Sequence, residues 1–80
     1  MAKVYTATEA TRAVLNGLVE GRKYTGRDLH LLIIRDMRAH GNMANPYDST
    51  TLRLVRQYGS LYGVHCLQAG QNSKYIRGEG

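Results

Sequence analysis

The chain has 80 residues, with eleven Lys and Arg against six Asp and Glu, a formal charge of +5. That length holds one domain (1–80) with a single small core, and the basic balance suits a polyanionic partner such as nucleic acid. A single cysteine excludes an internal disulfide, and the longest apolar run, Leu31-Leu32-Ile33-Ile34, is far short of the ~18 residues of a membrane span. The first residues lack the apolar segment of a signal peptide, so the expected location is the cytoplasm or the nucleoid. Phe and Trp are absent, leaving Leu, Ile, Val and six Tyr to build the core.

Thr6-Ala7-Thr8-Glu9 has the form of a capping box and opens a helix predicted over 7–20. Ala10, Val14 and Leu18 share one face, with Leu15 and Val19 beside them. Gly17 lies near that face, where its small size lets another helix approach, and Gly21 is the natural stop. Arg22-Lys23-Tyr24 is a bridge, read as a strand of two or three residues. Thr25-Gly26-Arg27-Asp28 repeats the capping logic in a weaker form, with Asp in place of Glu. The second helix is predicted over 26–40, with Gly41 after it. Leu29, Leu32, Ile33 and Met37 form its apolar stripe. Leu31 and Ile34 fall outside that stripe. Either this helix is buried on two sides, which is the favoured reading, or the pair belongs to a self-association or partner surface. Asp36 and His40, four residues apart, form a helix-end ion pair.

Asn42 to Asp48 is a loop containing the only proline. The third helix is predicted over 48–59, capped by Asp48 or Ser49. Asn45 as cap with Pro46 at the first helical position is the rival start. At helical period Thr51, Leu52, Leu54, Val55 and Tyr58 fall on one face. Ser49, Arg53, Arg56, Gln57 and Ser60 fall on the other, which has no carboxylate. Leu61 is expected to continue the core. The pattern then alternates, and a hairpin is predicted within 62–77, with strands at 62–67 and 74–77. A three-residue loop, Gly70-Gln71-Asn72, places Val64, Cys66 and Ile76 on one face. The predicted core is Val14, Leu18, Leu29, Leu32, Ile33, Val55, Tyr58, Val64 and Ile76.

The order helix, extended bridge, helix, helix, hairpin resembles an α+β winged helix-turn-helix domain, from Thr6 to Arg77. Ser49-Thr50-Thr51-Leu52-Arg53-Leu54-Val55-Arg56 looks like the start of that family's recognition helix. The connection from Gly41 to Asp48 is longer than the turn of a compact helix-turn-helix. The resemblance implies a third helix in the major groove of double-stranded DNA and a hairpin acting as a wing. It nominates Ser49, Thr50 and Arg53 for base edges, and Arg56 and Gln57 for bases or backbone. It nominates Gln71, Asn72, Ser73 and Lys74 at the wing. Arg22, Lys23 and Arg27 are further candidates for the DNA backbone, although ordinary solvated charge accounts for them slightly better.

The implied function is a small site-specific DNA-binding module, such as a transcriptional regulator. The alternative is a winged domain that binds protein, as an interaction module or small inhibitor, or pairs with a second copy through Leu31 and Ile34. No catalytic residue, cofactor or metal is expected. His65 and Cys66 are adjacent on a strand and point to opposite faces, and no second cysteine exists for a structural zinc. No glycine-rich stretch has the strand-to-helix setting of a phosphate loop.

Overall fold

Two threonines start the first two helices. The Thr6 hydroxyl accepts from the Glu9 N–H at 3.2 Å, opening α1 (Ala7–Gly17). Thr25 does the same for Asp28 at 3.0 Å, and the Asp28 carboxylate accepts in return from the Thr25 N–H at 3.2 Å. The Asp version is therefore the complete reciprocal box. It opens α2 (Gly26–Ala39), directly after β1 (Lys23–Thr25). α3 (Asp48–Tyr58) continues into a 3-10 turn (Gly59–Tyr62), followed by β2 (Val64–Gln68) and β3 (Lys74–Arg77). The computed structural model describes residues 4–68 and 73–78. They form a small α+β domain of three helices and a three-stranded antiparallel sheet in the order β1-β3-β2. No described helix is long and apolar enough to cross a membrane.

α1 is three residues shorter than predicted. Leu18 is already extended, with ψ of 145°, and turns its side chain into the core. Arg77 explains the early stop. Its Nη1 donates to the Asn16 carbonyl at 2.7 Å and to the Leu18 carbonyl at 2.9 Å. A strand residue thus satisfies carbonyls that a longer helix would have bonded itself. Val19, expected beside the apolar face, is exposed, and its N–H donates to the Tyr24 hydroxyl at 3.0 Å.

The register of the hairpin differs from the predicted one. Val64 pairs with Arg77, His65 with Ile76 and Cys66 with Tyr75, with an irregularity before Gln68 meets Lys74. Directly paired residues share a face. The core-facing side of the sheet therefore carries Val64, Tyr75 and Tyr24, with Cys66 at its exposed margin. Ile76 is buried on the reverse side, between Lys23 and His65. Keeping aliphatic residues together favoured the wrong face. The larger apolar area belongs to Tyr75, only 1% exposed, and Arg77 must lie opposite Val64 to reach α1.

The core gathers Ala10, Leu15 and Leu18 from α1, Leu29, Ile33 and Met37 from α2, and Val55 from α3, beneath that sheet face. Val14, Leu32 and Tyr58, expected inside it, are partly buried at its edge. Leu61 is exposed rather than part of the core. A Cβ at Gly59 would lie 2.9 Å from the Val64 carbonyl oxygen, so the 3-10 turn rests its backbone directly on β2. Gly63 then turns the chain into β2 with φ of 72°, a left-handed conformation that glycine adopts without strain.

The segment before α1 is fastened to the end of α2. The Tyr5 hydroxyl donates to Asp36 Oδ2 at 2.5 Å, and its ring stacks on His40 at 3.9 Å. Asn42 Nδ2 donates to the Tyr5 carbonyl at 2.7 Å. The Asp36–His40 pair is present, 3.8 Å between Oδ1 and Nδ1. Burial of the phenol, then its hydrogen bond to Asp36, push the Tyr5 hydroxyl up to about 12. The folded state therefore holds the phenol proton more tightly than the unfolded chain does. This contribution to stability is complete below pH 10 and is lost as pH rises towards 12. Alkaline titration of tyrosine absorbance should lose a late component in Tyr5→Phe. Chemical denaturation should show a weaker pH dependence for that variant between pH 10 and 12. An unchanged dependence would remove Tyr5 as its source.

Candidate nucleic-acid interface

α3 is held from beneath. Thr51 and Val55 are fully buried, and Leu52, Leu54 and Tyr58 are half-buried. The Thr51 hydroxyl donates to the Asp48 carbonyl at 3.0 Å and lies 2.7 Å from His30 Nδ1. With its one proton on that carbonyl, the Thr51 oxygen accepts from His30 Nδ1–H. A half-buried histidine of α2 thereby fixes the first turn of α3. His30 was not nominated from the sequence, where a lone histidine at that helical position has no distinguishing signal.

The helix start also differs from both expected caps. Tyr47 is the cap residue and makes no side-chain capping bond. Asp48 and Ser49 lie inside the first turn, both exposed, and Asn45 is engaged by Arg38. Asp48 suits the positive end of the helix dipole. It is also the one carboxylate of α3.

That outward face is as the periodicity placed it. Ser49, Arg53 and Gln57 are exposed at spacings of four residues, with Arg56 and Ser60 alongside. Thr50 is half-buried at the margin. Arg56 leans towards the sheet, its Nη1 3.5 Å from the Tyr75 hydroxyl, a long and weak contact. Arg53 has no side-chain hydrogen-bond or ion-pair partner among the described residues, and neither do Lys23, Arg27 or Lys74.

The loop end of the hairpin, at Ser73, meets the starts of α2 and α3. The Gly26 N–H donates to the Ser73 carbonyl at 3.0 Å. A Cβ on Gly26 would collide with the Ser73 hydroxyl and lie 2.9 Å from Leu52 Cδ1. α2, α3 and the hairpin therefore converge on one glycine. Ser73, expected at an exposed tip, is instead buried in this junction at 7% exposure. It is a packing residue with little surface to offer a phosphate. Gln71 and Asn72, two of the other three tip candidates, lie outside the described residues. Lys74 is exposed on the reverse side of the sheet. Lys23 is on the same side, diagonally across from it, at the ~7 Å spacing typical of such pairs.

Arg27 lines a shallow cleft with His30, Asp48, Leu52 and Ser73, so it stands beside the start of α3. Arg22 does not. It lies over the Tyr24 ring at 5.4 Å and borders a different groove, between α1 and α2. Leu31 also borders that groove and is 51% exposed, which overturns the favoured expectation that α2 buries it on a second side. Ile34 is partly buried against the core.

Comparison with protein-family models, with curated proteins and with solved structures yields no match to this chain.

Proposed function

We propose that this chain is a winged helix-turn-helix module that binds double-stranded DNA, with α3 in the major groove and the β2–β3 hairpin as the wing. The observation that carries this reading is the outward ridge of α3. Ser49, Arg53 and Gln57 stand exposed in one row, and Arg53 is uncommitted to any described side chain. Such groups donate to phosphates and base edges, and Arg suits the paired acceptors of guanine. The ridge is braced by buried Thr51 and Val55 and half-buried His30, so its geometry does not depend on a loop. Arg27 adds positive charge beside the start of α3, and Lys23 and Lys74 add it on the reverse face of the sheet, none of them with a described side-chain partner. A role as a small regulator in the cytoplasm or nucleoid follows from this reading.

The decisive experiment is selection from a pool of random duplexes. Enrichment of one motif supports the reading. Failure to enrich any motif with folded protein moves the proposal to a protein-binding winged domain. Lys74 provides a finer test. Lys74→Ala should weaken binding to all duplexes by a similar, modest factor and flatten the salt dependence by about one counterion. Its melting temperature should not change, because the side chain is exposed and without a described partner. Unaltered affinity and salt slope would leave the hairpin as a connector only.

A further inference from the structure

α1 and α2 pack on the core without closing the surface above their contact. Ala13, Val14 and Gly17 of α1 face Leu31, Leu32 and Ile34 of α2 across an open groove of about 860 Å³. Leu31 is half-exposed on its wall although apolar neighbours lie beside it. A Cβ at Gly17 would meet nothing within 4 Å, so packing inside the chain does not require glycine there. The helix bears the propensity penalty of glycine for no internal contact.

The charges around this groove are one-sided. Arg22, Arg35 and Arg38 border it, against the single carboxylate of Asp28. That carboxylate is already accepting from the Thr25 N–H in the capping box. Arg35 has no side-chain hydrogen-bond or ion-pair partner among the described residues. From Asp28 to Arg38 the α2 wall runs about 15 Å, the rise of roughly three helical turns.

We infer that the groove docks a helix of a partner protein, about three turns long, with apolar anchors at i, i+3 or i+4, and i+7 and Asp or Glu on its flanks. Apolar anchors bury Leu31 and the floor, and the small residues of α1 admit a helix backbone closely. The flanking carboxylates meet the guanidinium rim, and complementary charge of this kind selects partner and register. A second copy of the chain suits the groove poorly. A two-fold contact sets the same patch against itself, three guanidinium groups on each side and only the already engaged Asp28 carboxylate to offset them. None of Ser49, Arg53 and Gln57 lines this groove, so the site is separate from the α3 ridge.

The test is selection from a displayed library of helix-forming peptides, followed by fluorescence anisotropy and amide NMR mapping with the enriched peptides. Acidic sequences with the stated apolar spacing should be enriched. They should shift the amides of Ala13, Gly17, Leu31 and Arg35. Leu31→Glu, Arg35→Glu and Gly17→Leu should each weaken binding tenfold or more, the first two at the wild-type melting temperature and Gly17→Leu at one no lower. Gly17 borders this groove and not the cleft beside the start of α3, which Leu31 also lines, so duplex binding of Gly17→Leu reports on the other proposal independently. Enrichment of basic helices, failure to enrich any helix, or shifts centred on α3 would overturn the inference. So would a concentration-dependent dimer abolished by Leu31→Glu, because the groove would then belong to a second copy.

Discussion

Arg53→Ala is expected to lose about 5- to 150-fold of its affinity for a selected duplex, corresponding to the ~1–3 kcal/mol that a bidentate Arg–guanine pair discriminates. Affinity for random duplexes should fall much less, because only one phosphate-attracting charge is removed. Arg53→Lys separates the two effects. It keeps the charge and should recover the non-specific part, but the planar fork is lost and selectivity should stay reduced. Arg53 is exposed and lies between Ser49 and Gln57 on the ridge, so neither change should move the melting temperature. Equal losses on selected and random duplexes would place Arg53 on the backbone rather than on a base.

The second large effect concerns stability. Arg77→Met keeps most of the aliphatic stem and removes the two bonds to the Asn16 and Leu18 carbonyls. Hydrogen bonds from charged donors contribute roughly 1.5–3 kcal/mol each when buried. These are only partly shielded, so the pair together should contribute about 2–3 kcal/mol. For a domain of this size that lowers the melting temperature by roughly 8–24 °C. Arg77→Lys should recover part of the loss, since one ammonium reaches one carbonyl more readily than two. A melting temperature unchanged in Arg77→Met would mean that water caps α1 equally well.

Much of the helical framework was legible locally. Thr6 and Thr25 announced the starts of α1 and α2 through short-range hydrogen bonding, and these are contacts between residues three apart. The two faces of α3 followed from its periodicity, and exposure agrees for Ser49, Arg53, Arg56, Gln57 and Ser60. What depended on distant residues was not legible. The end of α1 is decided by Arg77, about sixty positions away. Ser73 looked like a loop residue, because only the folded chain brings Gly26 and Leu52 against it. The register failed because Val64, Cys66 and Ile76 form a consistent apolar set along the strands. Nothing in the alternation reveals that Tyr75 faces a deep core. At the candidate site, the ridge was readable and its support was not. His30 acts on Thr51 across two helices, and that pairing has no sequence spacing of its own.

The strand order has a consequence for the order of assembly. β3 is the middle strand, yet it follows both of its neighbours in the sequence. β1 can form no ladder until residues 74–77 arrive, which requires closing a loop of about fifty residues at an entropic cost of roughly 3–4 kcal/mol beyond a constant. The helices need no such closure, and contacts among α1, α2 and α3 can reward an early collapse. Folding is therefore expected to begin in the helices, with β1 held against them as an unpaired segment. The arrival of β3 then completes three things at once: both sheet ladders, the burial of Tyr75 and the cap on α1. Substitutions in β3 such as Arg77→Met should accordingly speed unfolding while leaving the folding rate nearly unchanged. The α3 ridge can thus be shaped before the hairpin beside it exists.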